Sequence, residues 1–284
     1  AAARVCRSGG LRVSDTQWPV FSDPAATLLD ERPHSGAAAP SGLELLAGRS
    51  VPLGLPTSKT LAAVEPLRRD MQLGDPFIVE NGAAVFLPPG DDWPEAADLP
   101  EMAGYRFRLF GRAYADARRF MTVEGSRLGA RGFGDMTVDE ISARTALPAD
   151  AAGRAAERLF TEPCEVEPAR LAEMEALARR AGFKVLEGGR FCHLVAAGQD
   201  KGTAVRWLIA AYQRRWPARR IRTVGIGDSP NDLDFLSVVD IPVLVQRPDG
   251  THLGADGLPR VLRSDGIGPA GWNRAIHQLF GNDH

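Results

Sequence analysis

IRTVGIGDSPND, residues 221–232, decides how the rest of the chain is read. A short apolar run ends in two glycines that let the backbone turn tightly, and Asp228 stands at the tip. Asp232 follows four residues later, where a helix start is expected. The plain structural reading is helix capping by Asp228 and Ser229. The chemical reading is that hard carboxylate oxygens at a strand end suit Mg²⁺, which keeps several waters and bridges to a phosphate.

Working outward, IPVLVQ (241–246) reads as a further strand and DKGTAVRWLIAAYQRRW (200–216) as a helix. Strands alternating with helices predict a parallel sheet whose ligands bind at the carboxyl ends of its strands. Far upstream, WPVFSD (18–23) and VPLGLPTSKT (51–60) have the same form, an apolar run ending in a polar residue. Asp23, Thr57 and Asp228 therefore each follow a strand-like run, and in a parallel sheet those three ends converge on one edge. Chance seldom puts two carboxylates and a hydroxyl at three such positions.

Leu61, Val64, Leu67 and Met71 have helical spacing, with Thr57 or Ser58 placed to cap the helix and Pro66 inside it. PFIVENGAAVFLP (76–88) predicts a hairpin turning at Asn81-Gly82. The turn-rich, acidic stretch 88–104 marks a boundary, and 104–187 changes to helical segments around a glycine-rich turn. The expected fold class is α/β, a Rossmann-like parallel-sheet core with an inserted α+β unit. Its parts are a disordered leader (1–17), a first core part (18–98), the insertion (99–187) and a second core part (188–284).

Composition narrows the function. At 284 residues, 44% hydrophobic, 25% charged and net charge -2, the chain is an ordinary globular protein without the basic field a nucleic-acid backbone requires. No apolar stretch is long enough for a membrane span. Cys6, Cys164 and Cys192 are too few and too scattered for a disulfide framework or zinc cluster, so a reducing cytoplasm is the expected location. Oligomeric state is not readable. Lysine occurs only as Lys59, Lys184 and Lys201 among 34 basic residues, which draws attention to Lys59 and Lys201 inside the motifs.

FSDPAATLLDE (21–31), PTSKT (56–60), DKG (200–202) and GDSPND (227–232) resemble, in order and spacing, the four motifs of haloacid dehalogenase-type phosphatases. Within that superfamily, the 76–88 segment, GGRFCH (188–193), DKGTAVRWL (200–208), VVDIPVLV (238–245) and HLGADGLPRVLRSDGIGPAGW (252–272) are similar to mannosyl-3-phosphoglycerate phosphatases. The resemblance implies that the insertion is a cap and that the small-molecule substrate is a phosphorylated glycoside. Asp23 would be the nucleophile forming an aspartyl-phosphate, Thr57 would hold a phosphoryl oxygen and Lys201 would neutralise its charge. Mg²⁺ would be held by Asp23, the Ala25 carbonyl and Asp228, with Asp232 in support. Ser58, Lys59, Asn81, Arg190 and His193 are expected substrate contacts, Arg190 because its planar fork matches a carboxylate. For Arg190 and His193 a surface arginine and a satisfied core histidine remain the plain alternatives. Glu80 and Asn81 read at least as well as a simple hairpin turn as they do as substrate contacts, and Glu162 equally as an acceptor of sugar hydroxyls or as a solvated loop carboxylate.

One departure stands out. The superfamily pattern Asp-x-Asp-Gly-Thr is here Asp23-Pro24-Ala25-Ala26-Thr27, so the second aspartate, the general acid and base, is alanine. Such catalysis is typically worth ~10²–10⁴ in rate. Slowed turnover with binding retained is expected; a catalytically silent sugar-phosphate-binding or partner-binding relative is the alternative.

Overall fold

The computed structural model describes residues 15–29, 40–90, 92–188, 191–255, 257–258 and 260–281. In chain order the strands are β1 (Thr16–Gln17), β2 (Val20–Ser22), β3 (Leu53–Pro56), β4 (Phe77–Val79), β5 (Ala84–Leu87), β6 (Glu101–Met102), β7 (Tyr105–Leu109) and β8 (Arg131–Gly132). They continue with β9 (Glu162–Glu165), β10 (Phe183–Glu187), β11 (Cys192–Ala196), β12 (Arg220–Ile221), β13 (Val224–Gly227), β14 (Ile241–Gln246) and β15 (Leu262–Ile267). The helices are α1 (Pro40–Gly48), α2 (Leu61–Asp70), α3 (Tyr114–Phe120), α4 (Val138–Thr145), α5 (Ala149–Ala156), α6 (Pro168–Arg180), α7 (Lys201–Arg215), α8 (Leu233–Leu236) and α9 (Pro269–Phe280).

Among the described residues, nine strands form one sheet in the order β15-β14-β13-β2-β3-β4-β5-β7-β6. From β15 to β4 the pairing is parallel; β5, β7 and β6 add an antiparallel margin. The central strands are buried on both faces, as a parallel sheet covered by helices requires. Side chains alternate between the faces. Val20, Phe77 and Val79 join the cluster containing Trp272 of α9, while Phe21 and Ile78 join the one built on Val205, Leu208 and Tyr212 of α7. The Trp272 Nε1 donates to Ser22 Oγ at 3.0 Å, tying α9 to the end of β2. Trp207 and Tyr212 are packing residues, against Phe110 and between Trp93 and Trp216 respectively.

A second, four-stranded sheet, β10-β11-β9-β8, is antiparallel and carries α3 and α6 on one face. β6 and β7, beyond residue 98, hydrogen-bond into the large sheet, and β11, beyond residue 187, pairs with β9 and β10. Neither pairing is visible locally, because strand partners are chosen by contacts between distant segments. Thr16–Gln17, expected in a disordered leader, pair with Arg220–Ile221; residues 1–14 lie outside the described residues. The cap of α2 is Thr60, whose side chain accepts from Ala63 N, rather than Thr57 or Ser58. Cys164 and Cys192 are direct cross-strand partners with free thiols, a proximity their separation in sequence conceals. Among the described residues no helix is long and apolar enough to cross a membrane.

Candidate active site

The site grows from the ends of β13, β2 and β3, which are neighbours in the sheet. Asp23 N donates to Ile226 O at 3.2 Å, Thr57 N to Ile78 O at 3.0 Å and Asn81 N to Thr57 O at 2.9 Å. The sheet's hydrogen bonding thus carries on for one residue beyond the strands and lines up their exits on one edge. Asp23, Thr57 and Asp228, all buried, occupy those exits.

Lys201, the first residue of α7, is fully buried between two carboxylates. Its Nζ donates to Asp23 Oδ1 at 2.6 Å and Asp232 Oδ1 at 2.7 Å. Burial alone would lower the lysine pKa, but the two carboxylates outweigh it and hold the group above its ordinary value. Burial also dominates at Asp23, pushing it up to about 6 against the opposing pull of Lys201. Asp23 Oδ2 accepts from Ala25 N at 2.8 Å, so both carboxylate oxygens are fixed.

Asp228 is pushed up to about 7 by burial, opposed by a hydrogen bond from Thr27 Oγ1 to its Oδ1 at 2.6 Å. Arg247 Nε holds its carbonyl at 3.0 Å. Asp232 folds back beneath it, its Oδ2 accepting from Asp228 N (3.1 Å), Ser229 N (3.0 Å) and Ser229 Oγ (2.8 Å). Only glycine permits this at 227: a Cβ there would lie 2.7 Å from Asp232 Cβ and Oδ2. Asp232 thus spends both oxygens on protein donors and holds Lys201 and the Asp228 turn in place. Ala26, in the turn joining Asp23 to Thr27, has φ +57, the left-handed region where the superfamily's glycine is at ease and alanine is not.

The donor set fits Mg²⁺. Asp23 and Asp228 are desolvated carboxylates whose raised proton affinity a cation would relieve. Among the described residues no three His, Cys, Asp or Glu side chains form a ready cage. Two carboxylates, a carbonyl and several waters make the partial set this ion accepts.

Of the expected substrate contacts, Asn81 lies in the site: its Oδ1 accepts from Asn231 Nδ2 at 3.3 Å, joining the hairpin turn to the Asp228 loop. Lys59 N donates to Thr57 Oγ1 at 3.1 Å, and the Ser58 carbonyl accepts from Arg158 at 3.3 Å. Arg190 lies outside the described residues. His193 lies on β11, and its Nδ1 is buried without a hydrogen-bond partner in the protein. Its pKa is pulled down to about 3 by burial first and then by the charges of Arg158 and Lys201.

Glu162 corrects an expectation. It is neither solvated nor on a loop, but the fully buried first residue of β9. It pairs with Leu194, so it points to the helix-covered face of the small sheet, opposite to His193 and its partner Pro163. There its Oε1 accepts from Arg118 at 2.7 Å and Gly134 N at 2.9 Å. Sequence reasoning also missed Thr27, Arg247, Arg158 and the part played by Glu80; each acts on a residue far away in the chain, so no local pattern announces it.

The core sheet, the Asp23–Lys201–Asp232 cluster and the Asp228 turn define a haloacid dehalogenase-type fold with an inserted cap. A haloacid dehalogenase-like hydrolase from Bacteroides thetaiotaomicron superposes with a TM-score of 0.65 at 13% identity, covering 93% of this chain and all of that one. The Synechocystis sucrose-phosphatase, solved with sucrose and phosphate, gives 0.58 at 15%, covering 93% and 98%. No protein-family model matches the chain. Among curated relatives, the glucosyl-3-phosphoglycerate/mannosyl-3-phosphoglycerate phosphatase of Persephonella marina is 37% identical over 262 residues, 92% of this chain and 96% of that protein. Its namesake from Methanococcoides burtonii is 35% identical over 269 residues, 93% and 98%. The chain belongs to the glucosyl-3-phosphoglycerate/mannosyl-3-phosphoglycerate phosphatase family of phosphoric monoester hydrolases.

Proposed function

We propose that the protein is a Mg²⁺-dependent phosphatase that removes phosphate from a glycosyl-3-phosphoglycerate through an aspartyl-phosphate, at a rate limited by the alanine at position 25. The observation that supports this best is Lys201 Nζ, buried between Asp23 and Asp232 at 2.6 and 2.7 Å. A fixed positive charge beside a desolvated carboxylate is the arrangement that phosphoryl transfer, governed by positioning and electrostatics, requires.

In this reading an Asp23 oxygen attacks phosphorus as the bond to the glycerate oxygen breaks. Lys201 balances charge on the transferring group, Thr57 holds one of its oxygens, and water then cleaves the acyl phosphate to free Asp23 and inorganic phosphate. Asp23, Asp228 and the Ala25 carbonyl would hold Mg²⁺, which supplies further positive charge at the phosphoryl oxygens when bound. Ala25 has no carboxyl group to protonate the departing alkoxide or to activate the water, so solvent serves both needs slowly. The relatives' names support the substrate class. His193 and Asn81, with Ser58, Lys59 and Arg190, are the side chains proposed to meet the glycosyl and glycerate groups.

The test is Ala25→Asp, assayed on mannosyl- and glucosyl-3-phosphoglycerate with Mg²⁺ and with chelator. A metal-dependent rise in turnover of ~10²–10⁴ is expected. An unchanged rate would defeat the assignment of the missing acid and base.

A further inference from the structure

Glu80 is the first residue of the turn that follows β4 and is fully buried. Its carboxylate points away from the strand tips and into the inserted unit. Oε1 accepts from Leu159 N at 2.8 Å; Oε2 accepts from Phe160 N at 3.2 Å, Thr161 N at 2.8 Å and Thr161 Oγ1 at 2.8 Å. The Arg158 guanidinium stands 3.3 Å from Oε2 and donates onward to Ser58 O beside Thr57. A core carboxylate is thus wrapped by four consecutive residues of the segment between α5 and β9. Apolar contact alone could dock that segment, since Phe160 is already buried in the core cluster. A buried charge met by directional donors adds a fixed register, because any slide strands the carboxylate without partners.

The rest of the turn makes the register matter. Glu80 N donates to Lys59 O at 3.0 Å, and Glu80 O accepts from Gln199 Nε2 at 2.6 Å. Ala83 O accepts from Phe110 N at 2.7 Å and Gly111 N at 2.9 Å. Both passages of the chain between the units, near 110 and 199, are therefore tied to residues 80–83. Gly82 lies against the backbone before Lys201; a Cβ on it would come within 2.1 Å of Asp200 O. Asn81 reaches Asn231 in the loop after Asp228. Glu80, Asn81 and Gly82 all have positive φ (50, 59 and 86°), an unfavourable run for the first two that persists because the surroundings hold it.

We propose that Glu80 is a positioning residue that latches the inserted unit in register over the phosphoryl site, so that it serves recognition of the glycosyl-glycerate portion and not phosphoryl transfer itself. This rests on the phosphatase reading above. Glu80→Gln keeps the size of the side chain but turns an amide N–H₂ toward N–H donors. The expected result is a KM for the glycosyl-3-phosphoglycerate raised roughly tenfold or more, as loss of hydrogen bonds to a charged group implies. The rate on p-nitrophenyl phosphate, which leaves the insertion unused, should stay within about twofold by the same logic of uniform binding. Hydrogen exchange at the amides of Leu159, Phe160 and Thr161 should accelerate in the variant. Where Glu80→Gln does not fold, Thr161→Val removes a single donor, and the same changes are expected at smaller size. An equal slowing of both substrates, or unchanged exchange at 159–161 in the variant that folds, would overturn the latch. If the wild-type protein proved inert toward glycosyl-3-phosphoglycerates, the function reading would fail while the exchange measurement still decided the latch.

Discussion

Among the described residues two ionic triads have the same outline, a cation between two carboxylates, and different surroundings. In the core Lys201 joins Asp23 to Asp232; in the insertion Arg118 joins Glu162 to Asp135. Arg118 is a partly exposed planar fork whose hydrogen bonds pull Asp135 below the usual carboxylate range. Lys201 is a fully buried point charge, and burial leaves Asp23 well above that range in spite of it. The arginine triad joins α3 to the small sheet. The lysine triad sits at the exits of parallel strands, beside a second raised carboxylate, Asp228. A salt bridge by itself does not mark a catalytic centre, nor does a destabilised anion, since burial also holds Glu162 above its usual range; placement at the strand tips beside a second raised carboxylate does.

Removing the cation should separate the two. Lys201→Met is expected to lower turnover of every phosphate ester by about 10³-fold, by loss of charge stabilisation. Steady-state assays on a glycosyl-3-phosphoglycerate and an aryl phosphate would check this; a loss confined to one of them would break the contrast. Arg118→Met leaves Glu162 buried without its partner, so urea unfolding should show a stability loss of roughly 3 kcal/mol. Turnover by the folded fraction should change only a few-fold, and a catalytic collapse would place the arginine triad in the site after all.

The smallest effect concerns His193. Its native pKa, about 3, lies below the ordinary value of 6.5 because burial, Arg158 and Lys201 oppose the charged form. The unfolded chain takes up a proton that the native chain refuses. This contribution is therefore intact above pH 6.5 and is lost as pH falls from 6.5 toward 3. Chemical unfolding across that window should show a shallower decline for His193→Gln than for wild type. Equal slopes would mean that the ring is solvated in the native state.

The core was legible because short apolar runs ending in Asp23, Thr57 and Asp228 carry their signal locally, and the Asn81-Gly82 turn announces its own hairpin. What stayed hidden depends on distant partners. Thr27 meets Asp228 across 201 residues, and Glu80 grips a segment 79 to 81 residues away. β7, Tyr-Arg-Phe-Arg-Leu, alternates apolar and polar residues as a strand does, but nothing local tells that its partner is β5 of the large sheet. Glu162 reads as a loop carboxylate because only its register with Leu194 shows which face it takes.

Ala25 offers a direct way to test whether Asp23 is the nucleophile. An activated ester such as p-nitrophenyl phosphate needs little help to lose its leaving group, whereas hydrolysis of the acyl phosphate still lacks its base. A phosphorylated enzyme should therefore accumulate. Peptide mass spectrometry after acid quench, with Mg²⁺ present, should find one phosphoryl group on the peptide carrying Asp23 in the wild type and none in Asp23→Asn. A phosphoryl group on another residue, or its absence while phosphate is being released, would contradict the account.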